Sequence, residues 1–260
     1  MSESDMPLIS VATVVFNGAQ YIEETLKSVV TQTYPNIEYL VIDGGSTDGT
    51  VDIIRKHQSS IDYWISEPDG GIYDAMNKAV SASKGEWIIF MNAGDSFSSE
   101  STVKEVFSKY PENADMIYGG HQIKYDNGYL RLHKPGKLES IWKGLPFSHQ
   151  SLFTKTALMK RFPFNKENRL GADFEFIYKA YIKGCRITEV NLVVATTQAR
   201  GVSDTERKQA IKTLWRVSTS VSNRFGVHAY FAYLIIDCLF RRAVKSILPK
   251  KVTAYFVKRK

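Results

Sequence analysis

The sequence predicts an α/β protein: a mostly parallel sheet flanked by helices, then a mixed second half and a basic helical extension. Three observations carry this. Between residues 8 and 91, short apolar runs alternate with segments whose apolar residues recur at helical spacing. Past Asp95 that alternation loosens into strand-like sequence around a turn. The charge is also unevenly placed, because residues 200–260 hold 14 Lys and Arg against three acids, a net of +11 that leaves residues 1–199 at −4 within the total of +7.

Taken in order, LISVATVV (8–15) is apolar and β-branched, and AQYIEETLKSVVTQ (19–32) sets Ile22, Leu26, Val29 and Val30 at helical spacing. IEYLVI (37–42) is a buried strand and DGTVDIIRKH (48–57) a helix with Asp48 as its N-cap. DYWIS (62–66), IYDAMNKAVSAS (72–83) and EWIIFM (86–91) continue as strand, helix and strand. Strand and helix alternating at this pitch give a sheet covered on both faces. Further on, 114–133 forms strands around Asp126-Asn127-Gly128. A helix runs from about Phe174 to its stop at Gly184, and a helical tail covers roughly 204–247.

This organisation divides the chain into a body, 1–199, and an extension, 200–260; within the body, about 7–97 is the ligand-binding half and about 98–199 the second half. The two cysteines, Cys185 and Cys238, are far apart and suggest neither a zinc site nor a disulfide framework. The first ten residues have neither a basic start nor a long apolar core, so no secretory signal is expected, and a cytoplasmic location fits. HAYFAYLIIDCLF (228–240) is too short for a bilayer span and is followed by Arg241, Arg242, Lys245, Lys250 and Lys251. Two readings remain: a helix lying in an anionic membrane interface, or one packed on the body with its basic residues solvated.

Open parallel sheets bind ligands beyond the carboxyl ends of their strands. Those ends are Phe16-Asn17-Gly18, DGGSTDG (43–49), EPDGG (67–71) and NAGD (92–95). Asp43, Asp69 and Asp95 each follow a strand, and three carboxylates in one crevice repel one another unless a cation or ligand compensates. A divalent ion held by few protein groups and by diphosphate oxygens meets that need. A single Asp beside glycine also makes an ordinary turn.

SVATVVFNG, EYLVIDGGSTDGTVDII, SEPDGGIYDAMNKAVSASKGEWIIFMNAGDSF, SHQSLF and GADFEF together resemble the family 2 glycosyltransferases with the GT-A fold. Within that family the likeness is to bacterial enzymes of exopolysaccharide and lipopolysaccharide assembly, such as the colanic acid transferase group. The resemblance is dense over 8–97, thinner to about 196 and silent on the extension. It implies inverting transfer of a sugar from a nucleotide-sugar donor to a saccharide or lipid-linked saccharide acceptor, aided by Mg²⁺ or Mn²⁺, at the inner face of the membrane. No nucleic-acid partner is implied.

By the same resemblance Asp43 reads the base of the nucleotide, Phe16 and Asn17 flank it, and Asp69 lines the donor site. Asn77, Lys78 and Asn92 are assigned to the donor as well. Asp95 holds the metal, Asp173 is the general base, and His149 and Gln150 lie on the acceptor side. The chain departs from the family at Gly44, Met76, Gly94 and Ala172, where relatives carry acids or Arg, so its site is lean in carboxylates. That leanness keeps open a catalytically weak sugar-nucleotide-binding adaptor. A sugar nucleotidyltransferase would want a basic glycine-rich first loop, yet residues 12–24 contain no Lys or Arg. A dinucleotide oxidoreductase would want GxGxxG there, where only Gly18 is present.

Glu175, two residues after Asp173 on the same helix, is expected to point away from it. Tyr118 and Trp142 are expected in the core rather than against a sugar, and His57, His121, His133 and His228 are read as structural.

Overall fold

The computed structural model describes residues 6–108, 113–199, 206–221 and 225–247, with side chains of the last helix described through Phe240. The chain forms two compact units, Met1–Ala199 and Arg200–Lys260.

In the first unit, β1 (Ile9–Val15) is buried at all seven positions, as a strand covered on both faces must be. It pairs in parallel with β2 (Ile37–Asp43) on one side and β4 (Trp87–Phe90) on the other, and β3 (Tyr63–Ser66) extends the sheet beyond β2. Strand order therefore reverses at β1. The crevice beyond Val15 and Phe90 is the place where such sheets take a ligand.

The helices α1 (Ile22–Val30), α2 (Thr50–Lys56) and α3 (Ile72–Ala82) connect these strands. Helix α1 buries Ile22, Thr25, Leu26 and Val29, whereas Val30 is exposed: one residue further is about 100° round the helix, off the apolar face. Helix α2 begins later than the sequence suggests. Gly49, at φ +97°, takes the cap position, and Asp48 acts from one residue earlier by accepting the Thr50 N–H at 3.1 Å.

The second half adds β5 (Ser96–Phe97), α4 (Thr102–Phe107), β6 (Met116–Lys124), β7 (Leu130–His133), β8 (Leu152–Lys155), α5 (Thr156–Arg161), α6 (Ala172–Ile182) and β9 (Ile187–Gln198). Strand β8 inserts antiparallel beside β4, followed by β6, β9 and β5, while β7 pairs off the far end of β6. The expected turn joins β6 to β7, with Gly128 N–H donating to the Tyr125 carbonyl at 2.8 Å. Trp87, Phe107 and Phe153 stack edge to face at 5.7 and 5.2 Å, fastening α4 and β8 to β4. Each buried side chain of this size contributes roughly 2–3 kcal/mol. Helix α6 begins at Ala172 rather than Phe174, which brings Asp173 into its first turn.

The second unit contains α7 (Arg207–Val221) and α8 (Phe225–Ile247). They pack through Trp215, whose Nε1–H donates to His228 Nδ1 at 3.1 Å and whose ring stacks on Phe231. Phe225, Tyr233, Ile236 and Phe240 lie exposed on a different face of α8. Among the described residues no helix is long and apolar enough to cross a membrane. Lys250 and Lys251, and the side chains of Arg241, Arg242 and Lys245, lie outside the described residues, as do residues 204–205 and 222–224 of the expected helical tail.

Candidate active site

The four acids named from sequence fall into two clusters at the reversal of strand order. In the first, Asp43 is fully buried at the end of β2. Its Oδ2 accepts the N–H of Gly45 at 3.1 Å and of Ser46 at 2.9 Å, and the Ser66 hydroxyl at 2.6 Å, while Oδ1 accepts the Ser46 hydroxyl. One carboxylate thus folds the β2 turn and ties it to β3. Asn17 completes this rim from β1 in a left-handed conformation, φ +48°. Its side-chain oxygen accepts the Thr47 N–H at 2.9 Å and its own N–H donates to Ser46 at 2.7 Å. The Phe16 ring beside it is 65% exposed, a flat apolar face at the mouth of the crevice.

Asp69 lies against the same turn. A Cβ placed on Gly44 would come within 2.6 Å of Asp69 Oδ2, so the carboxylate occupies space that any side chain at 44 would need. Asp69 Oδ1 accepts the Gly71 N–H at 2.7 Å. Lys78 reaches this loop by pairing with Glu67 at 2.7 Å. Asn77 bonds the backbone before α6: its amide nitrogen donates to the Phe164 carbonyl and its oxygen accepts the Phe164 N–H, both at 2.9 Å. Asn77 thereby clamps α3 to the segment before α6, each end of its amide keeping one further hydrogen-bonding site.

The second cluster forms beyond β4. Thr25 fixes the turn there, its hydroxyl donating to the Asp95 carbonyl at 2.7 Å and accepting the Gly94 N–H at 3.0 Å, with Gly94 at φ +98°. The Asp95 side chain accepts from Gln150 Nε2 at 3.0 Å. Burial pushes its pKa up to about 6, against the opposing charge of His149 and the Gln150 bond. The Asn92 side-chain oxygen is buried without a hydrogen-bond partner. A carboxylate costly to ionise and an orphaned carbonyl oxygen are both relieved by a hard cation, so these residues fit one. Among the described residues no group of three or more His, Cys, Asp and Glu gathers to hold a metal.

Asp173 completes this cluster. Its Oδ1 accepts the Tyr73 hydroxyl at 2.8 Å, and its Oδ2 pairs with His149 Nδ1 at 3.2 Å. Burial raises its pKa, but the bond and charge of His149 and the Tyr73 bond outweigh burial and leave it below the usual range. His149 is shifted upward in return: burial lowers it, and Asp173 and then Asp95 more than compensate. Burial and the charge of Asp173 push the Tyr73 phenol far up, so it stays a donor. Glu175 turns away as expected, held by Lys179 and by Asn168 at 2.8 Å.

The structure thus brings Asn92, Asp95, His149, Gln150 and Asp173 together, and gathers Phe16, Asn17, Asp43, Asp69 and Lys78 around the turns after β1 to β3. Sequence reasoning missed Tyr73, Thr25, Ser46 and Ser66. Thr25 left a usable sign, a polar residue on the apolar face of α1. Tyr118 stacks on Phe147 at 4.1 Å in the core, as expected.

Residues 10–168 match the family described as glycosyl transferase family 2. A PGL/p-HBAD biosynthesis glycosyltransferase of Mycobacterium bovis (strain BCG / Pasteur 1173P2) is 28% identical over 250 residues, 93% of each chain. An uncharacterized glycosyltransferase of Mycobacterium tuberculosis (strain CDC 1551 / Oshkosh) is 29% identical, covering 79% of this chain and 80% of its own. Among solved structures, a mannosyltransferase from Pyrobaculum calidifontis, in complex with GDP-Man and Mn²⁺, superposes with a TM-score of 0.68 at 17% identity, covering 98% of this chain and 80% of that one. S. aureus TarS 1–349 gives 0.62 at 23% identity, over 81% of this chain and 65% of that one. These structural likenesses establish the GT-A fold. The family match spans more than half of the chain, which belongs to glycosyl transferase family 2 and is a glycosyltransferase.

Proposed function

We propose that the protein transfers a sugar, with inversion, from a nucleoside diphosphate sugar to a hydroxyl of a saccharide or lipid-linked saccharide in surface polysaccharide synthesis. The observation that carries this reading is the second cluster: a buried carboxylate suited to a cation, Asp95, and a half-buried carboxylate held in its ionised form, Asp173, with His149 paired to Asp173 and within the field of Asp95. Asp43, Asn17 and Phe16 would take the nucleotide, with Asp69 and Lys78 lining the path to the diphosphate. Asp95, with the Asn92 oxygen, would hold Mg²⁺ or Mn²⁺, whose charge offsets that developing on the leaving diphosphate. Asp173 removes the proton of the attacking hydroxyl from the face opposite the diphosphate. His149 and Gln150 face the acceptor side of the crevice.

Two similar proteins support these choices: the mycobacterial relative is named a PGL/p-HBAD biosynthesis glycosyltransferase, and the Pyrobaculum mannosyltransferase is in complex with GDP-Man and Mn²⁺. An anionic membrane surface is proposed as a further partner, on the exposed apolar stripe of α8 and the net +11 of residues 200–260. The test is a panel of nucleoside diphosphate sugars scored by nucleotide release, with and without Mn²⁺. Turnover of one donor supports the reading; turnover and binding of none would overturn it.

A further inference from the structure

The two oxygens of Asp173 are held from two directions by elements distant in sequence. Tyr73 on α3 binds Oδ1, and His149, in the short turn before β8, binds Oδ2 through its Nδ1 at 3.2 Å. A carboxylate has about four acceptor sites; Tyr73, His149 and the Phe174 backbone N–H take three, which leaves one for an acceptor hydroxyl. The far side of the imidazole, Nε2, stands 3.5 Å from the Asn92 amide nitrogen, toward the Asp95 cluster. His149 is thus wedged between the end of β4 and the start of α6, with its side chain 24% exposed.

We propose that His149 is a positioning residue for Asp173. Its Nδ1–H fixes the rotation of the carboxylate so that its remaining acceptor site faces the acceptor hydroxyl, a role that Nδ1–H fills in both the neutral and the charged ring. The argument rests on the reading of Asp173 as the base. A base must lie within hydrogen-bond reach and in the right orientation, and small misplacement is costly in rate. Tyr73 and the Phe174 backbone N–H hold the carboxylate from its own side of the site; His149 is the side-chain contact that reaches Oδ2 from the turn before β8.

The chemistry makes the proposal separable from simple packing. In Asn the amide nitrogen is attached at Cγ, as Nδ1 is in His, whereas the amide nitrogen of Gln matches Nε2. His149→Asn therefore keeps the donor toward Asp173, His149→Gln keeps only the far end, and His149→Leu keeps neither. In a transfer assay with Mn²⁺ and the active donor, His149→Leu and His149→Gln are expected to lose about 10²-fold in kcat with donor KM within about twofold. His149→Asn should recover to within about tenfold of the parent. Equal kcat for the Asn and Gln variants, or a Leu variant as active as the parent, would overturn the proposal. If the Leu variant does not fold, the comparison of Asn with Gln decides alone. Asp173→Asn is measured beside them: full turnover there would remove the base assignment itself, whereas loss there with an unaffected His149→Leu would remove only the role of His149.

Discussion

Gly44 and Asp69 are a matched pair: a Cβ at residue 44 would sit 2.6 Å from the Asp69 carboxylate. The absence of a side chain at 44, which in the sequence is only a missing acid, is the space into which Asp69 turns. Gly44→Ala should therefore displace Asp69 and weaken its bond to the Gly71 N–H, a loss of about 1 kcal/mol. The expected outcome is a severalfold weaker affinity for nucleoside diphosphate by calorimetry with the melting temperature lowered by only about 2–4 °C, since the Asp69 carboxylate can swing away. Unchanged affinity would separate Asp69 from the donor.

Asp95 makes a prediction about pH. Its folded pKa, about 6, exceeds the 3.8 of a free Asp, so the folded protein holds the proton more tightly than the unfolded chain. Ionisation of Asp95 therefore costs stability as pH rises from about 4 to about 6, and the cost persists above that range. In Mn²⁺-free buffer, Asp95→Asn should be more stable than the parent at pH 7.5, by on the order of 2 kcal/mol, and no more stable at pH 4. Melting curves at the two pH values check this. By the same proton competition, binding of Mn²⁺ without nucleotide should be weak and should weaken further below about pH 6.

Asn77 separates a structural role from a binding role. Its two hydrogen bonds to Phe164 predict that Asn77→Ala lowers stability by about 2 kcal/mol and leaves donor KM within about twofold. A large rise in KM with an unchanged melting temperature would assign Asn77 to the donor site instead.

The apolar stripe of α8 gives a test of the proposed membrane partner. Replacing Tyr233 and Ile236 by Asp adds charge to an exposed face and leaves the Trp215, His228 and Phe231 contacts in place. Flotation with vesicles rich in phosphatidylserine should fall severalfold, with no change on neutral vesicles. Equal flotation of parent and variant would contradict membrane docking through this stripe.

The first four strands were legible because each is a local apolar run ended by a polar or glycine-rich turn, and β1 to β4 require no long-range information to recognise. In the second half the hairpin around Asp126-Asn127-Gly128 and the helix stopped by Gly184 were legible, but the places of its strands in the sheet were not. Strand β8 takes its place beside β4 from some 60 residues away along the chain, and nothing local in LFTK specifies that neighbour. The site divides in the same way. Asp43, Asp69 and Asp95 could be placed at strand ends, but the pairing of Asp173 with His149, and with Tyr73 one hundred residues away, exists only in the folded chain. Asn77 shows another long-range contact of this kind: its amide bonds the Phe164 backbone at both ends, 87 residues away.

In the proposed reaction Asp173 accepts the proton of the attacking hydroxyl while the donor is held elsewhere. The direct measurement is single-turnover sugar transfer by Asp173→Asn alongside calorimetric donor affinity, with Mn²⁺ present. Donor affinity should stay within about twofold of the parent, and transfer should fall by at least about 10²-fold. Transfer at the parental rate, or loss of donor binding in parallel with transfer, would contradict that role of Asp173.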